Sequence, residues 1–251
     1  MQLNKQVAVV TGGASGMGRA VSQLLTSLGV RVVVWDIQKP ESSLNENYAA
    51  VFTCDVTSAQ SVEKCLAETV QKVGLPSICV NCAGIAPAQR MVGREGPMSL
   101  AAFEKVIAVN LVGTFNVMRM VTSAMLELPI DATGERGVVI NTASVAAYEG
   151  QIGQMAYSAS KGGVIAMTLP AARELAQHAI RVNTIAPGLI ATPMLLSMPQ
   201  EVQDSLAASV TFPKRLGYPE EFARLAVHIV ENQLINGEVI RLDGALRMQA
   251  K

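Results

Sequence analysis

Tyr157 and Lys161 stand four residues apart in Tyr157-Ser158-Ala159-Ser160-Lys161, and Ser144 lies thirteen residues before the tyrosine. On a helix, four residues turn about 400° and rise about 6 Å, so the phenol and the ammonium leave one face a turn apart. A free tyrosine, with a pKa of about 10, is a poor proton carrier at neutral pH. A neighbouring ammonium favours the phenolate, and a lowering by roughly two or three units would make Tyr157 an effective general acid-base group. Such a pair alone is more often a solvated helix face. Here residues 137–143, Gly-Val-Val-Ile-Asn-Thr-Ala, read as a short buried strand, and Ser144 falls at its carboxyl end, where ligands bind in parallel sheets. A hydroxyl there can hydrogen-bond a carbonyl or carbinol oxygen. Small residues at Ser158, Ala159, Ser160, Gly162 and Gly163 let another surface approach the helix closely.

A second constellation lies near the amino terminus. Residues 7–18, Val-Ala-Val-Val-Thr-Gly-Gly-Ala-Ser-Gly-Met-Gly, place Gly12, Gly16 and Gly18 between an aliphatic run and a helical pattern. The spacing Gly-x-x-x-Gly-x-Gly differs from the common Gly-x-Gly-x-x-Gly. It has the same physical use: a tight turn, close approach of backbone to a pyrophosphate, and close packing of the helix whose amino end attracts the anion. Asp36 ends the next aliphatic run, eighteen residues after Gly18. A carboxylate there can bind both hydroxyls of an adenosine ribose and repel a 2′-phosphate, so NAD is expected rather than NADP. Lys39 is the nearby cation that could receive a phosphate, but no basic residue stands at Ser15 or immediately after Asp36.

The elements that must hold these groups alternate short aliphatic runs with amphipathic helical ones, the pattern of a parallel sheet covered on both faces. Seven strands are expected near residues 6–11, 31–36, 50–54, 77–82, 137–143, 180–186 and 238–242. Helices are expected near 17–28, 59–73, 99–126, 154–178, 195–209 and 219–231. The fold class is therefore α/β: a single Rossmann-like, doubly wound domain spanning 1–251. Its nucleotide-binding part covers about 1–145, and its catalytic and substrate-loop part about 144–251. Two long segments leave carboxyl strand ends, residues 85–98 and 187–199. They are candidates for substrate contact or a lid, with a plain surface insertion as the alternative for 85–98; the second reads as an adaptable apolar flap rich in Met and Leu.

Half of the 251 residues are hydrophobic, 16% are charged and 4% aromatic, so the core is expected to be large and aliphatic. Twenty basic residues balance twenty acidic ones without a basic run, which argues against nucleic-acid binding. No run of eighteen apolar residues suggests a membrane span, and the first strand begins by about Gln6, so a cytoplasmic protein without a leader is expected. Cys79 and Cys82 form a Cys-x-x-Cys, but strand residues three apart face opposite sides. With His178 and His228 the only histidines, both in helical segments, no metal site is expected.

Taken together, Thr11-Gly12-x-x-x-Gly16-x-Gly18, Asp55-Val56, Asn81-Cys82-Ala83-Gly84, Asn110, Ser144, Tyr157-x-x-x-Lys161 and Pro187-Gly188 resemble the short-chain dehydrogenase/reductase family across nearly the full length. The resemblance implies that Asn110 holds a water in a proton relay and Ser144 binds the substrate oxygen. It makes Tyr157 the general acid-base, and Lys161 both its activator and a nicotinamide-ribose ligand. The family's Asn-Asn-Ala-Gly motif keeps its third position as Ala83 and departs at Cys82. Residues 141–154, with Ser160-Lys161-Gly162-Gly163 and residues 236–245, are similar to members that act on 3-hydroxyacyl-CoA thioesters. That likeness implies NAD-dependent interconversion of a (3S)-3-hydroxyacyl-CoA and its 3-oxo form, tolerance of other secondary alcohols, and a homotetramer. By the same match Ser15, Met17, Asp36, Asp55, Val56, Cys82, Tyr157, Lys161, Ile190 and Thr192 line the NAD site, with Gly12, Gly16, Gly18, Ala83, Gly84, Pro187 and Gly188 as its motif residues, and Gln151 faces substrate. Lys214 and Arg215 can meet coenzyme A phosphates or form a structural basic pair. The alternatives are a hydroxysteroid or general secondary-alcohol dehydrogenase and, from another class, a non-catalytic NAD-binding scaffold.

Overall fold

The computed structural model describes residues 1–38 and 47–250, so Lys39 lies outside the described residues. Seven parallel strands form one sheet in the order β3-β2-β1-β4-β7-β8-β9. They are β1 (Val7–Thr11), β2 (Arg31–Asp36), β3 (Ala50–Thr53), β4 (Ile78–Asn81), β7 (Gly137–Thr142), β8 (Ile180–Pro187) and β9 (Val239–Leu242). All seven expected strands are present within a residue or two. A two-residue hairpin, β5 (Val92–Gly93) with β6 (Gly96–Pro97), adds an element within the 85–98 segment that the sequence pattern did not indicate. From β1 the chain runs outward through β2 to β3, then crosses back to β4 beside β1. The direction of winding reverses there, which opens a crevice at the carboxyl ends of β1 and β4.

The strands read as unbroken aliphatic runs because both of their faces are buried. Ala8 and Val10 of β1 face one core, shared with α1 (Gly16–Ser27) and with Phe222, Ala226 and Ile229 of α8 (Pro219–Glu231). Val7 and Val9 face the other core. That core is shared with Val62 and Leu66 of α2 (Ala59–Lys72), Val117 and Val121 of α4 (Gly113–Met125) and Ala172 of α5 (Met155–Ala176). Each fully buried Val, Leu or Ile contributes about 1.5–3 kcal/mol relative to exposure. Trp35 is wholly buried on the second face, and its indole N–H donates to Thr69 Oγ1 at 3.1 Å. Cys79 packs in the second core and Cys82 against the first, so their thiols diverge as strand geometry requires.

Two expected helices differ in detail. The 99–126 helix is continuous from Leu100 to Met125, but between α3 (Leu100–Ile107) and α4 it opens into a π turn, Ala108–Val112. It is long and apolar enough to cross a membrane by length and composition, yet its inner residues Val117, Val121 and Met125 are buried in the second core. The expected 195–209 helix is two helices, α6 (Pro193–Leu196) and α7 (Gln200–Ser209), separated at Pro199, whose missing N–H and fixed φ interrupt the run.

Candidate active site

The glycine turn joins β1 to α1. Gly12 has φ +65°, and a Cβ there would lie 2.8 Å from the Ala83 backbone nitrogen, so only glycine lets the β1 and β4 ends meet. A Cβ on Gly18 would overlap the Gly12 carbonyl. Ser15 is the N-cap of α1 but makes no side-chain cap bond, and the first helical turn holds no acidic residue. The positive end of the helix therefore faces the turn with free N–H groups, as a phosphate cradle requires. Asp36 leans back onto this turn: Oδ2 accepts from Ala14 N and Oδ1 from Gln38 N, each at 3.0 Å. Each carboxylate oxygen keeps a lone pair for a further donor.

The remaining nucleotide-site candidates follow the ends of other strands. Cys82, Ala83 and Gly84 follow β4, and the Cys82 and Ala83 amides both donate to Thr11 Oγ1 at 3.2 Å. Asp55 and Val56 follow β3. Asp55 is exposed and accepts from the Thr57 amide and hydroxyl, while Val56 is buried and its carbonyl accepts from Asn116 Nδ2 at 2.9 Å. Pro187 ends β8, and Gly188, Ile190 and Thr192 follow it. A Cβ on Gly16 would lie 3.3 Å from the Thr192 methyl, so Met17 and the rest of the cradle sit under that loop.

The chemistry-bearing residues converge next to Gly84. Ser144 is extended, caps the 3₁₀ turn Val145–Ala147 and accepts from Ala146 N at 3.1 Å. Its hydroxyl lies on the Tyr157 side of the site, where it favours the phenolate. Lys161, almost fully buried on α5, donates from Nζ to the Thr142 carbonyl at 2.7 Å, and Nζ lies 5.9 Å from the Tyr157 ring centre. Asn110 sits in the middle of the π turn, a deformation that recurs at functional sites. Its Nδ2 donates to Ile85 O at 2.9 Å and Ser160 Oγ at 3.0 Å, and its Oδ1 accepts from Ile85 N at 2.8 Å.

One electrostatic expectation is reversed. Lys161 was expected to draw the Tyr157 pKa toward neutrality, but in this chain burial dominates both groups. It raises the phenol above its ordinary value, against the lowering effect of the Ser144 hydroxyl. It lowers the Lys161 ammonium to about 8. Each charged form is penalised by loss of water, yet with a pKa of about 8 the amine is still mostly protonated at neutral pH. The Cys82 thiol, which accepts from Thr142 Oγ1, is pushed up to about 11 and is protonated at neutral pH.

Three further residues take roles that only the fold assigns. Ser160 reads in the sequence as a small residue, yet its Oγ accepts from Asn110 and donates to the Tyr157 carbonyl at 2.7 Å, tying the π turn to α5. Its place beside Lys161 was the available signal. Asn81 and Asn141, side by side on β4 and β7, form a buried amide pair at 2.9 Å beneath the site, a pairing visible only once the strand order is known. Arg215 is committed elsewhere: it makes a two-bond ion pair with Glu221 at 2.8 and 2.9 Å and lies over the Tyr218 ring. That engagement is the structural alternative foreseen for the basic pair. Gln151, expected to face substrate, donates from Nε2 to the Gln249 carbonyl at 3.2 Å.

The short chain dehydrogenase family model matches residues 6–203. Over 249 residues the chain is 50% identical to 3-hydroxyacyl-CoA dehydrogenase type-2 of Homo sapiens, and 49% identical to the protein of that name from Bos taurus. In both cases the match covers 97% of this chain and 95% of the relative. A crystal structure of 3-hydroxyacyl-CoA dehydrogenase type-2 from Mycobacterium avium superimposes with a TM-score of 0.91 at 41% identity, covering 98% of each chain.

Proposed function

The chain belongs to the short-chain dehydrogenase family, and from that membership we propose that it is an NAD-dependent oxidoreductase interconverting a (3S)-3-hydroxyacyl-CoA and the 3-oxoacyl-CoA. What carries the reading is the convergence of Ser144, Tyr157 and Lys161 at the carboxyl end of the sheet in a chain half identical to proteins named 3-hydroxyacyl-CoA dehydrogenase type-2.

In this reading Ser144 and Tyr157 hold the carbinol oxygen. Ser144 has its acceptor capacity partly used by Ala146 N–H, which leaves its own O–H free to donate. Tyr157 takes the carbinol proton during oxidation and returns it during reduction. Lys161, anchored by Thr142, stabilises the phenolate and meets the nicotinamide ribose, and Asn110, locked by Ile85 and Ser160, holds the proton path. Gly12, Ser15, Gly16, Met17 and Gly18 cradle the pyrophosphate. Asp36 takes the adenosine ribose, Asp55 and Val56 with Cys82, Ala83 and Gly84 border the nucleotide, and Pro187, Gly188, Ile190 and Thr192 close its far side. NAD, when bound, would supply the hydride acceptor and a cationic ring whose charge would favour phenolate over phenol.

The nucleotide part is assigned to about 1–145 and the catalytic and substrate part to about 144–251. Exposed Met194, Leu196 and Met198 on the flap support an apolar acyl chain, and exposed Val112, Phe115 and Leu169 support the homotetramer. Light scattering tests the latter against four times the 26.5 kDa chain mass, and fractionation tests the cytoplasmic location.

The deciding experiment measures initial rates of NADH formation with short (3S)- and (3R)-3-hydroxyacyl-CoA, beside a hydroxysteroid and with NADP as cofactor control. Fast NAD-dependent turnover of the (3S) thioester is the expected result. Turnover of the steroid alone refutes the thioester assignment, and tight NAD binding without any turnover refutes catalysis.

A further inference from the structure

Between Ser144 and Tyr157 the chain leaves the 3₁₀ turn and runs through Tyr148-Glu149-Gly150-Gln151-Ile152-Gly153 before α5 begins. This connection does not stand free. Glu149, half-buried, accepts from Arg241 Nη1 at 2.8 Å and Nη2 at 3.2 Å, and its Oε2 accepts from the Met248 amide at 3.0 Å. Arg247 adds an ion pair at 3.4 Å. Arg241, on the edge strand β9, also donates to Asp243 Oδ2 at 2.6 Å and to the Leu246 carbonyl at 2.9 Å, and its guanidinium lies 5.3 Å from the Tyr148 ring centre. Two arginines and two carboxylates thus staple residues 243–248 to the connection.

Beyond the staple the two segments run on together. Gln151 Nε2 donates to the Gln249 carbonyl at 3.2 Å, and the Ile152 amide donates to the Ala250 carbonyl at 3.0 Å. On its other side the connection meets the long 85–98 segment, where the Gln89 amide donates to the Gly153 carbonyl at 2.8 Å. Gln151 is therefore oriented by the C-terminal segment: its amide nitrogen is committed, and its oxygen is the end left for a donor on another molecule.

We propose that Glu149 is a positioning residue for substrate, clamping residues 246–250 against the 148–153 connection so that Gln151 and the C-terminal segment form one wall of the acyl-thioester cleft. The inference rests on the acyl-CoA reading above and extends it to the C-terminal residues 246–250. Without its charge, Glu149 would leave Arg241 and Arg247 sharing Asp243. The Met248 amide would lose its strongest acceptor, and the Gln151 amide would be free to turn.

Two variants test this. Glu149→Gln keeps the shape and removes the charge; Met248→Pro removes the amide donor on the C-terminal side together with the Met248 side chain. The clamp predicts that Glu149→Gln raises KM for the 3-hydroxyacyl-CoA about tenfold, with kcat within about twofold. Met248→Pro should shift KM in the same direction by less. NADH affinity, read by fluorescence titration, should stay at the wild-type value in both. Hydrogen exchange supplies a readout independent of substrate: the Ile152 amide should exchange faster in Glu149→Gln than in wild type. Unchanged KM and unchanged exchange in both variants would overturn the proposal. So would a joint fall of kcat, NADH affinity and thermal midpoint, which would make the cluster a general structural bracket. If the wild type oxidises no thioester, the functional reading fails by itself. The exchange comparison then still decides the clamp, with faster Ile152 exchange supporting it and unchanged exchange overturning it.

Discussion

Replacing Lys161 by methionine should change how the stability of this protein depends on pH. Lys161 is 4% exposed, and burial lowers its pKa from the ordinary 10.5 to about 8. A lysine whose folded pKa is depressed binds its proton less tightly in the native than in the unfolded state. Below about pH 8 both states carry the charge, and the native state bears the full cost of burying it. Between about 8 and 10.5 the native amine is neutral while the unfolded one is charged, so stability rises with pH across that window. At about 1.36 kcal/mol per pH unit, the interval corresponds to a gain of about 3 kcal/mol by the top of the window. The methionine variant has no such group and loses the bond to the Thr142 carbonyl, a penalty of about 1 kcal/mol that does not vary with pH. Urea unfolding of both proteins without cofactor, at half-unit steps from pH 7 to about 10.5, isolates the effect. The difference between them cancels the titrating groups not coupled to Lys161 and should be flat below about pH 8, then tilt toward the wild type. A difference that stays flat to the top of the range would show that the buried amine is better solvated than its surroundings indicate. That result would refute the argument that burial sets the charge of the Tyr157–Lys161 pair.

Tyr157→Phe should lower turnover by roughly a hundredfold or more and leave NADH affinity within about twofold, measured by steady-state rates and fluorescence titration; near wild-type turnover would remove Tyr157 from proton transfer. Gly18→Ala brings a methyl against the Gly12 carbonyl, so NADH affinity should fall at least about tenfold and the thermal midpoint should drop by several degrees, both absent if the turn can shift. Asp36→Ala removes the carboxylate that accepts from Ala14 and would repel a 2′-phosphate. The ratio of kcat/KM for NAD over NADP should fall by about tenfold or more, and an unchanged ratio would dismiss Asp36 as the discriminator. Asn81→Leu strands the buried Asn141 amide and should cost about 1–3 kcal/mol in chemical denaturation, with catalysis nearly intact.

The parts of this protein that obey short-range rules were legible in the sequence. Strands β1, β2, β4, β7 and β8 show as aliphatic runs because a parallel sheet buries both faces, and every residue of β1 and β7 is buried. The glycine spacing exposes the cradle because Gly12 needs positive φ and Gly18 cannot carry a Cβ, constraints that belong to a few consecutive residues. Tyr157 and Lys161 share a helix face by the period of the helix alone. Other features required the assembled fold. The π turn at Asn110 is stabilised by partners from Ile85 and Ser160, up to fifty positions away, and no local pattern marks it. The staple between Glu149 and Arg241 joins residues 92 positions apart and is specified by where β9 ends beside the 148–153 connection. The reversed pKa of Tyr157 has the same origin. Sequence supplies the neighbouring cation, but the loss of water around both groups depends on what packs over them, and only tertiary structure decides that.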